Sequence, residues 1–204
     1  MGNRAIIKPV GKDLGVYLHW NGGVDSVTAF LKYCELKGFR DFEDSYGLAR
    51  FCQVVGNFFG GGLSIGISSG VGETKRDTAY IDNGIYIVKG WKIVGHIGER
   101  EPKEGYDLDD MLKAIDARQP LLEQLGDFLD GIETDISDIQ IGDIVFYMSS
   151  RGVYEKWRVV GIGEDKYVNG TNVLGIPYID KYGNNPSDNI NNYIREKARI
   201  WKGE

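Results

Sequence analysis

One change of hydrophobic period constrains this chain more than any other feature of its sequence. Arg4 to Val10 and Val16 to Trp20 are dense in apolar and β-branched residues, with Gly11-Lys12-Asp13 between them, the pattern of two strands and a turn. The spacing then becomes helical. Val27, Phe30, Leu31 and Cys34 recur at i, i+3, i+4 and i+7, and Leu48, Phe51, Cys52, Val55 and Phe59 repeat the pattern. Asp25 or Ser26 can cap the first helix and Gly38 can end it. The second opens near Asp44-Ser45 and stops at Gly60-Gly61-Gly62. Short strands follow at Leu63–Ile67, Thr78–Ile81, Ile85–Val88 and Trp91–Ile97, and Asn83-Gly84 has the composition of a type I′ hairpin turn. Glycine, at 29 of 204 residues, is about twice its ordinary ~7% share, which suits many tight turns between short strands. The expected class is α+β, with a mixed or antiparallel sheet and two helices in a domain over residues 1–100.

Charge divides the remainder. The formal net charge is −6, but Glu101 to Asp143 alone carries 13 acids against Lys103, Lys113 and Arg118. Asp107 can cap a helix bearing Leu108, Met111, Leu112 and Ile115. Pro120 starts a further helical stretch with Leu121, Leu122, Leu125, Phe128 and Leu129. Residues 101–137 therefore read as an acidic helical connector, its carboxylates opposite an apolar stripe. Residues 138–204 read as a small SH3-like β-barrel domain with a terminal helix. Gly142-Asp143 leads into Ile144–Met148, Val153–Ile162 and Lys166–Val168, Tyr178–Ser187 is a polar loop, and Ile190–Trp201 has helical spacing.

Several chemistries are disfavoured. Two cysteines and two histidines without paired spacing leave no structural metal site and no disulfide framework, so no metal and no cofactor is expected. Cys34 and Cys52 lie on apolar helix faces and read as buried hydrophobes. No apolar run approaches the ~20 residues of a membrane helix and no secretory signal is visible, so the expectation is a cytoplasmic protein without a membrane partner. That expectation also leaves Asn169-Gly170-Thr171 as an unused glycosylation sequon. Ser68-Ser69-Gly70-Val71-Gly72-Glu73-Thr74-Lys75 follows a strand as a phosphate loop does, but Glu73 stands where the lysine belongs and a strand follows.

Three sets of residues remain as functional candidates. His19 and Asn21, in the His19-Trp20-Asn21-Gly22-Gly23 loop between strand and helix, can supply an acid–base group and an oxyanion donor, with Arg4 nearby. His96 joins them only if its strand neighbours that of His19. The carboxylates Asp107, Asp109, Asp110, Asp116, Glu123, Asp127 and Asp130 form a surface able to imitate nucleic-acid phosphate for a basic partner. Arg151, Tyr154, Lys156, Trp157 and Arg158 interleave bases with aromatics, as single-stranded nucleic-acid binding requires.

Met1-Gly2-Asn3-Arg4-Ala5-Ile6-Ile7, Val16-Tyr17-Leu18-His19-Trp20-Asn21-Gly22-Gly23 with Ser26-Val27, Ala49-Arg50 and Asn57-Phe58-Phe59-Gly60-Gly61 stand out together. They resemble a group of small proteins of phages, plasmids and integrative elements of Gram-positive bacteria, over roughly residues 1–70. The resemblance transfers no reaction. It implies a mobile-element context, in which small acidic proteins of the anti-restriction and anti-CRISPR kinds occupy the nucleic-acid surface of a nuclease. The leading expectation is accordingly a non-enzymatic inhibitor of a host defence nuclease such as a CRISPR effector. A small hydrolase or nucleotide-acting enzyme using Arg4, His19 and Asn21 is the second expectation. An RNA-binding module built on the C-terminal barrel is the third.

Overall fold

The computed structural model describes residues 2–61, 64–70, 81–98, 104–148, 154–162, 168–172 and 197–201. The chain is mixed α+β and divides into two compact units, Met1–Gln124 and Leu125–Glu204. The acidic stretch is thus shared between them instead of forming a body of its own.

The first unit begins with β1 (Ala5–Pro9) and β2 (Leu14–Leu18), an antiparallel pair in which Ile7 faces Val16. Helices α1 (Val24–Leu36) and α2 (Ser45–Phe59) follow, then β3 (Ile65–Ser69), β4 (Ile85–Lys89), β5 (Lys92–Ile97) and α3 (Leu108–Asp116). The sheet order is β3-β2-β1-β4-β5. Only β1 and β4 run parallel, with Ile6 beside Ile85 and Ile7 beside Tyr86. The α1 stripe read from the sequence is buried at Val27, Phe30, Leu31 and Cys34, whereas the α2 stripe is buried at Phe51 and Val55 and only half-buried at Leu48, Cys52 and Phe59. Phe42, between the helices, fills the space against Phe51 and Trp91. Met111, Leu112 and Ile115 bury the inner face of α3 against α1 and α2. At roughly 1.5–3 kcal/mol per large apolar side chain, this burial dominates the stability of the unit.

Local signals set the ends of these elements. Asp44 caps α2 by accepting from the Tyr46 N–H at 2.7 Å, and Gly60 closes the helix in the left-handed region, φ 70°. Asp107 caps α3 by accepting from Asp109 and Asp110. Neither Asp25 nor Ser26 caps α1. The cap position falls on Gly23, which has no side chain to accept a bond. Asn83-Gly84 is not a type I′ turn, because Gly84 has φ +69° but Asn83 does not share the positive φ that turn requires. Instead the Asn83 N–H donates to the Arg4 carbonyl, and its side chain reaches Asn3, tying the start of β4 to the start of β1. The expected strand at Thr78–Ile81 lies outside the described residues except for Ile81.

The expected helix after Pro120 is replaced by two 3₁₀ turns, Leu121–Glu123 and Gly126–Asp130. Gly126, at φ +55°, leaves the helical region between them. Leu121 and Leu122 are therefore 82% and 86% exposed instead of lying in an apolar stripe.

The second unit is an antiparallel sheet of β6 (Ile132–Asp135), β7 (Ile144–Met148), β8 (Tyr154–Ile162), β9 (Val168–Asn172) and β10 (Lys197–Ile200), in the order β6-β10-β7-β8-β9. Val145, Trp157, Val159 and Ile200 are buried, as is Ile139. The terminal helix expected over Ile190–Trp201 is corrected over its described part. Lys197–Ile200 is a strand, pairing antiparallel with β6 and through Ile200 with Val145 of β7. The sequon residues Asn169, Gly170 and Thr171 sit in β9. The Tyr178–Ser187 loop and residues 190–196 lie outside the described residues.

Candidate functional site

The loop singled out in the sequence, His19 to Gly23, carries the chain from the end of β2 into α1. Asn21 adopts φ +53°, the one positive φ at a non-glycine residue among the described residues. Such a backbone is sparsely populated and persists only where its surroundings hold it. The Gly22 N–H donates to the Asn3 carbonyl at 2.9 Å, and a Cβ at Gly22 would sit 2.6 Å from that oxygen. Close approach to β1 therefore demands glycine.

The hydrogen bonds of this loop lead inward. Asn21 Nδ2 is 3.5 Å from Ser26 Oγ, and the Ser26 hydroxyl donates to Glu104 Oε2 at 2.5 Å. The other carboxylate oxygen, Oε1, accepts from Asn3 Nδ2, and Asn3 Oδ1 in turn accepts from Asn83 Nδ2. Asp25 answers in the opposite direction. Its Oδ2 accepts three consecutive backbone N–H groups, from Glu104 (2.9 Å), Gly105 (2.7 Å) and Tyr106 (3.0 Å), while Oδ1 accepts from Ser26 at 3.0 Å. Helix α1 and the segment leading into α3 thus cap each other.

Burial separates the two carboxyls electrostatically. Desolvation, reinforced by the charge of Asp25, holds Glu104 above its ordinary value against the opposing pull of Ser26 and the Gly23 N–H. For Asp25 desolvation also acts upward, but the four backbone N–H bonds outweigh it and hold the group below its ordinary value. Tyr86, on β4, is 2% exposed, and its hydroxyl has no hydrogen-bond partner among the described residues. Burial and the charges of Asp25 and Glu104 push that phenol up.

Arg4 and His19 come together beside Gly2, where a Cβ would lie 3.2 Å from Arg4 Cγ and 3.3 Å from His19 Nε2, but Arg4, His19 and Asn21 each bond a different partner. Arg4 forms a two-pronged pair with Asp82, Nε to Oδ2 at 2.9 Å and Nη2 to Oδ1 at 3.2 Å. His19 Nδ1 meets the Tyr17 hydroxyl at 2.9 Å, and its ring packs edge-on against Trp20. His96 belongs to β5, three strands away from β2 in the sheet, and its Nε2 meets the Asn83 carbonyl at 2.7 Å. It does not pair with His19. Cys34 is fully buried, and desolvation pushes its thiol well up, the opposite of an activated nucleophile.

The acidic set separates by environment. Asp107, Asp109 and Asp110 are exposed at the start of α3, and Glu123 is exposed farther along. Asp116 does not belong to this surface. It is buried, and Tyr33 donates to it at 2.6 Å. Asp127 and Asp130 are exposed on the second unit, where Asp127 pairs with Lys156 at 2.6 Å.

The basic and aromatic set of the second unit is engaged internally. Trp157 is 2% exposed and belongs to the core. Tyr154 stacks on Phe128 at 3.7 Å, and Lys156 lies 3.3 Å over the Trp201 ring. Arg158 is exposed and donates to the Gly142 carbonyl at 3.3 Å, and Arg151 lies outside the described residues. Glu73 and its neighbours from Val71 to Lys75 lie outside them as well.

Asn3, Asp25, Ser26, Asn83, Tyr86 and Glu104 were not among the functional candidates of the sequence, which read Asp25 or Ser26 as a helix cap and Asn83 as part of a turn. Glu104 meets Ser26 across 78 residues, which no periodicity records.

No protein-family model, curated protein or solved structure matches the chain. Among the described residues no helix is long and apolar enough to cross a membrane, and no three His, Cys, Asp or Glu side chains come together as a metal site.

Proposed function

We infer that the protein acts in the cytoplasm by binding, and that the acidic edge at the start of α3 occupies the nucleic-acid surface of a host defence nuclease, as an inhibitor of the anti-CRISPR kind. The observation that carries this reading is the exposure of Asp107, Asp109 and Asp110 within one helical turn, on a segment held by the Asp25 carboxylate. Rigid, closely spaced negative charges are what a groove built for phosphate attracts. The mobile-element resemblance of the first 70 residues supports the choice of partner. The separate engagements of Arg4, His19 and Asn21 weigh against a hydrolytic reading. The burial of Trp157 and the stacking of Tyr154 weigh against an RNA-binding one.

For the second unit we propose an SH3-like barrel. The meander β7-β8-β9 and the return of β10 to lie between β6 and β7 support this reading, and closure further requires β6 and β9, the edges of the described sheet, to meet.

The test is a triple reversal, Asp109→Lys, Asp110→Lys and Glu123→Lys, which leaves the capping residue Asp107 in place. Inhibition of CRISPR-effector cleavage should fall by at least ~100-fold, the effect of losing several close charge pairs at ~1.5 kcal/mol or more each. Reversing charge at a helix N-terminus costs only ~0.3–1 kcal/mol per site, so the fold survives, as circular dichroism would record. Undiminished inhibition by the triple variant would refute the reading.

A further inference from the structure

The two outer strands of the first sheet, β3 and β5, are built differently. β5 starts at Lys92 and pairs with β4 through a register shift between Ile87 and Val88, and charge and irregularity of this kind keep an edge strand from pairing further. β3, Ile65-Gly66-Ile67-Ser68-Ser69, has neither. It pairs with Leu14–Leu18 in unbroken register and carries no charge and no proline. Between Arg50 and Glu73 the chain has no charged residue, although charged residues make up 26% of the whole.

Backbone parity decides what this edge offers. The Ile6 and Val10 N–H groups donate to Gly84 and Val88 of β4, so the alternate residues Ala5 and Ile7 turn theirs toward Leu18 and Val16 of β2. Gly15, Tyr17 and His19 therefore face β3, and the His19 N–H reaches the Ser64 carbonyl at 2.8 Å. Gly66 and Ser68 continue that ladder inward. Ile65, Ile67 and Ser69 direct their N–H and C=O groups outward, where they have no backbone partner among the described residues. The side chains point to the same edge. Ile67 shares a sheet face with its register partner Val16, yet Val16 is fully buried and Ile67 is 63% exposed.

We propose that β3 is a dimerisation edge, on which a second copy adds its own β3 antiparallel across a two-fold axis at Ile67 and joins two five-stranded sheets into one. The strand is self-complementary in that register. Ile67 faces Ile67 of the other copy and Ile65 faces Ser69, so every outward N–H meets an outward C=O and the exposed isoleucines gather on one face. The mate of this edge must be an uncharged strand with apolar alternate residues, and β3 is itself such a strand. Two chains of net charge −6 meet here without a charge on either side of the seam. This edge is separate from the acidic surface and does not depend on the partner inferred above.

The experiment is sedimentation equilibrium of the full chain from about 10 μM to about 500 μM, because a seam this short belongs to the small, weak class of interfaces, with Kd roughly 0.1 mM. The apparent mass should rise from that of one chain toward that of two. Ile67→Lys sets like charges opposite each other, and Ile67→Pro deletes an outward N–H without touching the β2 ladder. Each should weaken association at least ~10-fold and leave the circular dichroism of dilute protein unchanged, and the lysine variant decides alone should the proline variant not fold. In wild type the Ile65, Ile67 and Ser69 amides should gain exchange protection with concentration, while Gly66 and Ser68 are protected throughout. A chain that stays monomeric at the highest concentration would overturn the proposal. So would association that the variants leave intact, or outward amides already protected in the dilute monomer, the result expected if the chain covers its own edge.

Discussion

Two groups of carboxylates stand within a few residues of one another and behave in opposite ways. Glu104, with Asp25 across from it, faces inward, and every oxygen of the pair accepts a hydrogen bond from the chain. Asp107, Asp109 and Asp110, only three to six residues beyond Glu104, face water. All are carboxylates, and burial and backbone geometry decide which of them join distant segments and which stay open to water. Counting acids along a sequence therefore overstates an acidic surface. Asp116, buried beneath Tyr33, is the plainest example.

The largest effect that would break this contrast is expected at Asp25. Asp25→Ala strips the acceptor from four backbone N–H groups and should lower stability by about 2–4 kcal/mol, less than the sum of four charged hydrogen bonds because water replaces some of them. Urea unfolding measures the loss, and hydrogen exchange should show the amides of residues 104–106 losing protection first. A cost near that of an ordinary surface substitution would make the clasp incidental. Tyr33→Phe should follow at about 1–3 kcal/mol, since it removes a donor from a buried carboxylate. Pairing Asp109→Asn with Asp110→Asn should change stability by no more than about 1 kcal/mol, the loss of two favourable helix-terminus charges, while still weakening partner binding. If those outward acids proved as costly to neutralise as Asp25, the distinction between the groups would collapse.

pH sharpens the same contrast, because the inward pair has opposite signs. Asp25 is held below its ordinary 3.8, so it contributes stability above that value and loses it as pH falls through its lower folded value. Glu104 is held above its ordinary 4.5, so its contribution is complete below that value and is lost as pH rises through the higher folded value. Stability curves of wild type and Glu104→Gln should therefore diverge as pH rises from about 4.5, with the variant gaining relative to wild type.

Periodicity made much of the first unit legible. The dense apolar runs at Ala5–Pro9 and Leu14–Leu18, the stripes of α1 and α2, and the cap at Asp107 are local signals, and each gave its element within a few residues. Two kinds of feature were not legible. Short apolar runs are ambiguous: the helical spacing read through Ala198 and Trp201 concealed a four-residue strand, whose assignment depends on β6 and β7 being there to pair with it. After Pro120, Leu121 and Leu122 have helical spacing but stay exposed, while Leu125 and Phe128 are buried on either side of Gly126, whose φ of +55° breaks the run. Long-range polar contacts were the second kind. Ser26 to Glu104, Asp25 to the 104–106 backbone and Tyr33 to Asp116 each span about 80 residues, and no pattern within either segment announces its partner.

The central claim is that Asp25 and Glu104 are ligands of the fold, held apart in proton affinity by the clasp. It is tested most directly by carboxyl ¹³C titration of the folded protein. The account predicts that Glu104 titrates above 4.5 and Asp25 below 3.8, a wider separation than the two residue types show in water. Midpoints at or inside those ordinary values would contradict it.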